Sequence, residues 1–426
     1  MGTSGTHSGK QRTISVGILT AERVEFCFGR DYAATEQDGR VVIDGEARQE
    51  WYFAGSSGGF FTLKNVQIGK GFHWQRYQDQ SFPGDLKLIA RDGCVIAINV
   101  VGIEDYLQCV IASEMSPSAG FEFLKAHAVI SRSWLLAQLD KRDEVREGYS
   151  SVECDTPGEL IRWQDREDHK WFDFCADDHC QRYQGIPQSN PAMVRKTMRV
   201  IEATWGQVLS YGGRVCDARF SKCCGGALEE FKYCWENKEV PYLKYARDYA
   251  SGRDLDLTRE SNARRWILSS PRAFCNTRSA RLLGQVLKDY DSETKDFYRW
   301  TVEYPAEELR QIILERTGED YGEIRDLIPL ERGVSGRICR LKIVGSKKTK
   351  IIGKELEIRK TLSRSHLYSS AFVVEKTQRG FVLHGAGWGH GVGLCQIGAA
   401  AMGARGYEYR AILQHYYPGS TISTLY

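Results

Sequence analysis

The stretch EDYLQCVIASEMSPSAGFEFLKAHAVISRSWLLAQLD, Glu104 to Asp140, is where the periodicity of the chain changes. Upstream, residues 11 to about 100 alternate or run apolar in TISVGIL, RVEFCF, RVVID, FTLKNVQIG and CVIAINV, with Gly, Asp and Asn between them, which predicts strands. From Ile103 onward, Ile103, Leu107, Val110 and Ile111 fall at helical spacing. SEMSPS interrupts that pattern at Pro117. A second helix is predicted with Leu124, Ala128, Ser131 and Leu135 on one stripe, ending near Asp140. The class is α+β. Glu114 sits in the break between the two helices. A carboxylate in an irregular segment between packed helices is partly desolvated, and desolvation raises a carboxyl toward the range a general acid needs. The competing reading is a solvated glutamate at a helix end.

Beyond Asp140, KRDEVREGYSS reads as a solvated connection and residues 154 to 235 as a cysteine-rich part. Residues 258 to 330 are expected to be mainly helical, on TRESNARRWILSS and PAEELRQIILERTG. Strands return in GRICRLKIVG and KTKIIGKELEIRKTL. AFVVEKTQRGFVLHGAG reads as a hairpin, and the last segment as two helices around a turn at Gly406. The division this suggests is a flexible leader over 1–10, a β-rich domain over 11–95, and an α+β region over 96–426. Within the last, 240–380 forms a mixed helical and strand subdomain, and 381–426 returns to the core.

The 426 residues suit two or three domains, and 42% hydrophobic with 27% charged residues is ordinary for a globular protein. A formal net charge of +3 provides no field that would favour nucleic acid. No apolar run is long enough to cross a membrane as a helix, and the first twenty residues lack the apolar centre of a signal peptide. Thirteen cysteines are an odd number, and six of them lie between Cys175 and Cys234. A chain this long has no need of a disulfide scaffold, so clustering near histidines favours a metal site.

DREDHKWFDFCADDHCQRYQG offers His169, Cys175, His179 and Cys180 within twelve residues. His169, Cys175 and Cys180 form a compact set of soft and borderline ligands suited to tetrahedral zinc. The fourth ligand is open between His179, a water and a distant thiol such as Cys223. CDARFSKCCGGALEEFKYCWE pairs adjacent cysteines with Gly225 and Gly226, which permit positive φ and close backbone approach. LHGAGWGHGVGLCQIGAAAMGARG packs six glycines from Gly385 to Gly398 around Trp388, His390 and Gln396. That much glycine costs conformational entropy, so a ligand or a tight backbone crossing should compensate. Trp388 could stack on a sugar, and His390 and Gln396 could hydrogen-bond one.

Taken in order, these segments resemble the SpoIID/LytB family. YLQCVIASEMSPS…EFLKAHAVISRSWLLA is similar to that family's YLxxVvxsEM…LkAqAV segment, and DHCQRYQG to its HCQxYxG. FSKCCGGALEE, GVSGRICRLKIVG and GAGWGHGVGLCQIGAAAMGARGYEYRAILQHYYPGSTI resemble three further motifs in the same order. The resemblance implies peptidoglycan as substrate. It further implies a lytic transglycosylase that cleaves MurNAc–GlcNAc β-1,4 bonds of denuded glycan strands, with Glu114 as the essential glutamate. It also admits a non-catalytic glycan-binding enhancer of a cell-wall amidase. A structural zinc at His169, Cys175 and Cys180 is implied, as is a periplasmic or cell-envelope location. Substrate contacts are expected from Lys125 and Arg132, seven apart on one helix face, and from Ser221, Gly225, Gly226, Trp388, His390 and Gln396. Two departures stand out: His127 replaces the family's usual glutamine, and Cys395 its serine.

Overall fold

The computed structural model describes residues 12–56, 58–69, 76–116, 118–144, 151–163, 169–177, 180–187, 190–252, 255–287 and 296–426. The leader expected over 1–10, Pro117 and His179 lie outside them. The mixed α+β class is what the structure has, with several sheets and interspersed helices.

The chain forms two compact units. The first takes Met1–Leu139, Asp168–Val208 and Ile422–Tyr426. Ten strands follow one another: β1 (Thr13–Ala21), β2 (Arg23–Phe28), β3 (Arg30–Gln37), β4 (Arg40–Ile43), β5 (Glu46–Arg48), β6 (Glu50–Phe53), β7 (Phe60–Ile68), β8 (Arg76–Pro83), β9 (Asp85–Arg91) and β10 (Cys94–Gly102). One sheet has the order β5-β4-β3-β2-β7-β8. In the other, β1, β10, β9 and β6 are joined at the β1 edge by the two-residue strand Phe174–Cys175, parallel to β1. The period-2 patterns read from sequence become half-buried strands: Val24 and Phe26 of β2 face in while Arg23 and Glu25 face out.

β10 runs without a linker into α1 (Ile103–Glu114), and α2 (Phe121–Glu144) follows. The compact unit runs past the division expected at residue 95 and takes in α1 and α2 as far as Leu139. Ten of the twelve residues of α1 are buried, so it is a core helix with no exposed stripe. A third helix, α3 (Pro191–Ala203), starts on an Asn190 side-chain cap to the Met193 N–H, and its Val194 carbonyl accepts from Gln108 of α1 at 3.4 Å.

The second unit takes Asp140–Glu167 and Leu209–Thr421. Its largest sheet orders Val152–Asp155, Glu159–Arg162, Thr349–Gly353, Ile338–Gly345 and Ile324–Arg332. The hairpin expected near the glycine run is Phe372–Lys376 paired antiparallel with Gly380–Ala386, and Arg299–Pro305 adds a third strand. The region expected to be mainly helical is thus mixed: Glu260–Leu268 and Ala306–Thr317 are helices, but strands interleave with them. The strand expected through KTKIIGKELEIRKTL stops at Gly353. Glu355–Thr361 is a helix that turns Glu355, Glu357, Ile358 and Thr361 inward. Glu357 is held there by a bidentate pair with Arg162, at 2.8 and 2.9 Å.

Candidate active site and metal loop

Glu114 is the last residue of α1 and is 8% exposed. Its Oε1 accepts the backbone N–H of Arg182 at 3.3 Å. Its neighbour Ser113 accepts the N–H of Gln184 at 2.8 Å. The segment Cys180–Gln184 is thereby pinned to the end of α1 by main-chain donors. Behind it, Tyr106 stacks on Tyr183 with centroids 4.8 Å apart, and its hydroxyl reaches Gln181 at 3.4 Å. Burial pushes the Tyr106 phenol up, with Cys180, Cys175 and Glu114 adding negative charge nearby, so it stays a neutral donor. The carboxylate at the helix end is enclosed and oriented, which the sequence could only pose as a choice.

The same segment carries the cysteine and histidine set. The ligand atoms of His169, Cys175 and Cys180 lie within 4.8 Å of one another. His169 Nε2 is 3.4 Å from Cys180 Sγ, and that sulfur accepts the Cys175 N–H at 3.4 Å. Cys175 is fixed by the short strand against β1, and Asp173 holds the same edge by accepting from Ser15 at 2.7 Å. One imidazole nitrogen and two thiols converging in this way fit zinc. Cys223 is held elsewhere, in the second unit, where its backbone pairs with Trp388.

Arg132 does not reach toward substrate. Its side chain is fully buried and forks onto Glu104 at 2.8 and 2.6 Å, with Nη1 donating to the Gln207 carbonyl at 2.8 Å. The expected substrate role is corrected to a structural one: Nε, Nη1 and Nη2 each donate inside the unit. Lys125, on the same helix face, pairs with Glu122 at 2.5 Å and keeps some exposure. His127 is completely buried, its Nδ1 3.3 Å from Ser131 Oγ, so this departure from the family pattern is a packing residue.

In the second unit, Ser221 lies on the short strand Phe220–Ser221, parallel to Leu394–Cys395. Its hydroxyl is buried and has no hydrogen-bond partner among the described residues. Gly225 and Gly226 both have positive φ, and a Cβ on Gly226 would meet the Tyr298 hydroxyl at 2.8 Å. The glycine run is a backbone crossing. Gly387, Gly389, Gly391 and Gly393 all have positive φ. Arg337 threads through them, donating to the Gly389 carbonyl at 3.0 Å and to the Cys224 carbonyl at 3.2 Å. Sequence reading passed over this arginine, although it stands inside the SGR motif.

His390 is corrected as well. Its Nδ1 accepts the Val392 N–H at 3.0 Å and its ring bonds the Phe220 backbone. Burial, with Arg219, Arg337 and Arg359 nearby, pushes the imidazole down to about 3. It is a neutral brace whose nitrogens are engaged. Gln396 is buried in the first turn of the helix Gln396–Ala404, and Cys395 caps that helix. Trp388 keeps partial exposure, stacked on Phe297 at 4.7 Å and edge-on to Tyr368 at 5.0 Å, and remains the aromatic surface suited to a sugar.

The crossing makes a direct prediction. Gly393 has φ +69°, and a Cβ there would sit 2.0 Å from the Arg219 carbonyl. Gly393→Ala should lower stability by at least about 1–3 kcal/mol, read as a fall in the urea midpoint. An unchanged midpoint would show that the crossing relaxes freely.

Residues 91–211 match the family model described as Stage II sporulation protein, and residues 229–393 match a domain of unknown function, DUF8618. The amidase enhancer of Bacillus subtilis (strain 168) is 28% identical over 236 residues, which is 54% of this chain and 32% of that protein. The chain therefore spans about a third of that relative's length. Stage II sporulation protein D of Bacillus amyloliquefaciens is 23% identical over 330 residues, 77% of this chain and 76% of that protein. An uncharacterized protein of Brachyspira hyodysenteriae is 24% identical over 339 residues, 80% of this chain and 71% of that protein. The Stage II sporulation match begins in β9, runs through the Glu114 helix and the cysteine–histidine loop, and ends past α3; over that segment the chain is similar to the SpoIID/LytB family.

Proposed function

We propose that this protein is a peptidoglycan lytic transglycosylase acting on denuded glycan strands, with Glu114 as its acid and base. The observation that carries the reading is the enclosure of Glu114 at the end of α1 under the Arg182 N–H. A carboxyl held in one orientation can serve both half-reactions. As acid, it gives its proton to the glycosidic oxygen while the C1–O bond of MurNAc breaks. As base, it takes the proton of the C6 hydroxyl, which closes onto C1 to form the 1,6-anhydro ring. The nucleophile is already part of the substrate, so no water is consumed and no second carboxylate is required. The Arg182 N–H steadies the anionic form between the two transfers.

Zinc at His169, Cys175 and Cys180 would supply a crosslink, not a reacting group. It would clamp the segment whose Arg182 and Gln184 N–H groups hold the end of α1. Cys180→Ser should then lose one bound metal and lower both the melting temperature and the turnover on glycan. Full metal content in that variant would remove Cys180 from the ligand set.

The product decides the reading. Denuded glycan digested with the protein should yield ends with the mass of 1,6-anhydro-MurNAc. Ends carrying one added water would instead mean hydrolysis. A second reading rests on the likeness to the amidase enhancer: a glycan-binding partner that raises the rate of a cell-wall amidase and leaves no anhydro ends. Either activity places the working protein outside the cytoplasm, in the cell envelope.

A further inference from the structure

The second unit gathers a second set of metal-ligating side chains from four distant segments. The ligand atoms of Cys224, Asp248, Cys275 and Cys395 lie within 4.8 Å of one another, and all four residues are buried. Cys224 Sγ and Cys275 Sγ are 3.6 Å apart. A disulfide would hold them at about 2.05 Å. Two thiolates on one tetrahedral zinc, each about 2.3 Å from the metal, stand about 3.8 Å apart. The observed spacing is that of co-ligands. All thirteen cysteines stand outside disulfides.

The surroundings are those of ligands held in place. Backbone N–H groups point at the sulfurs: Gly226 at Cys224 Sγ (3.4 Å), Cys224 at Cys395 Sγ (3.2 Å) and Gly398 at Cys395 Sγ (3.4 Å). Cys395 also caps the nine-residue helix Gln396–Ala404, whose N-terminal dipole favours a thiolate. Asp248 is fully buried and oriented by the Tyr416 hydroxyl at 2.8 Å and the Cys275 N–H at 3.0 Å, with His415 Nε2 3.6 Å away. A hydrogen-bonded carboxylate of this kind is how protein metal ligands are usually braced. A Cβ on Gly398 would fall 2.9 Å from both Asp248 oxygens, so the helix start must be glycine to admit the carboxylate.

We infer that Cys224, Asp248, Cys275 and Cys395 form a closed tetrahedral zinc site, separate from the His169 loop. It ties the CCGG segment to the start of the Gln396–Ala404 helix. Cys395, which replaces the family's serine, is then a metal ligand and not a change in substrate contact.

The test is metal analysis of the full chain purified under reducing conditions without chelator. A variant carrying His169→Ala and Cys175→Ala should keep about one equivalent of zinc. Adding Cys395→Ser should bring it close to none. A folded His169→Ala, Cys175→Ala variant without zinc would overturn the site, as would recovery of Cys224 and Cys275 as a disulfide by intact mass. Should Cys395→Ser fail to fold, alkylation of the wild-type chain decides. Cys224, Cys275 and Cys395 should resist alkylation until a strong chelator is added; the same labelling before and after chelation would refute the proposal.

Discussion

Glu114→Gln is expected to lower the rate of anhydro-end formation on denuded glycan by about 10²–10⁴-fold, the range for loss of a general acid–base group. Melting temperature should stay within a degree or two. The amide is nearly isosteric with the carboxyl, and its oxygen can still accept the Arg182 N–H that Oε1 accepts at 3.3 Å. What it cannot do is give up a proton to the leaving oxygen and then collect one from the C6 hydroxyl. Both half-reactions fail together, so the loss should appear in kcat, with KM for glycan little changed. Turnover within tenfold of wild type would remove Glu114 from the chemistry. The enhancer reading predicts otherwise: Glu114→Gln would leave stimulation of an amidase intact.

The change of period at Ile103 was enough to locate α1, α2 and the break carrying Glu114, because a core helix and a half-buried strand leave different spacings in the sequence. Sequence could not say what lies opposite a helix face. Lys125 and Arg132 share a face by their spacing of seven, yet one keeps solvent and the other is entirely enclosed by Glu104 and Gln207. That difference is made by a partner 28 residues upstream and by a carbonyl 75 residues downstream. The stretch ELEIRKT misleads for a related reason. Its brief alternation suits a strand, but Glu355 and Glu357 turn inward to arginine and backbone partners that propensity does not know of. The glycine run was legible as a costly segment that needs a ligand or a backbone crossing, whereas the guanidinium threading it was not. The Cys224, Asp248, Cys275 and Cys395 set leaves no trace at motif spacing, because each ligand comes from a different segment.

The largest stability effect is expected at Arg132. Glu104 lies in the first turn of α1 and Arg132 on α2, and both side chains are essentially without solvent. Two charge-assisted hydrogen bonds at 2.8 and 2.6 Å join them. Arg132→Ala removes the fork and leaves a carboxylate 2% exposed, with the Tyr426 hydroxyl at 2.6 Å and the Gly206 N–H at 3.4 Å among the neutral donors facing it. Uncovering a buried charge in this way costs about 3–5 kcal/mol. Arg132→Lys should recover little, since an ammonium cannot span both oxygens and the Gln207 carbonyl together. Removing both charges, as Glu104→Met with Arg132→Met, should cost clearly less than the two single changes summed, because no ion is left stranded. Urea unfolding of the four proteins reads the cycle, and a single variant within about 1 kcal/mol of wild type would show that water reaches Glu104. The pair also bears on function. It fixes the start of α1 against α2, and Glu114 stands at the other end of α1, about 15 Å along the same rigid helix. On the proposed chemistry, a loosened start would let Glu114 drift from the glycosidic oxygen. Arg132→Ala should therefore lose activity at temperatures where its circular dichroism is still native.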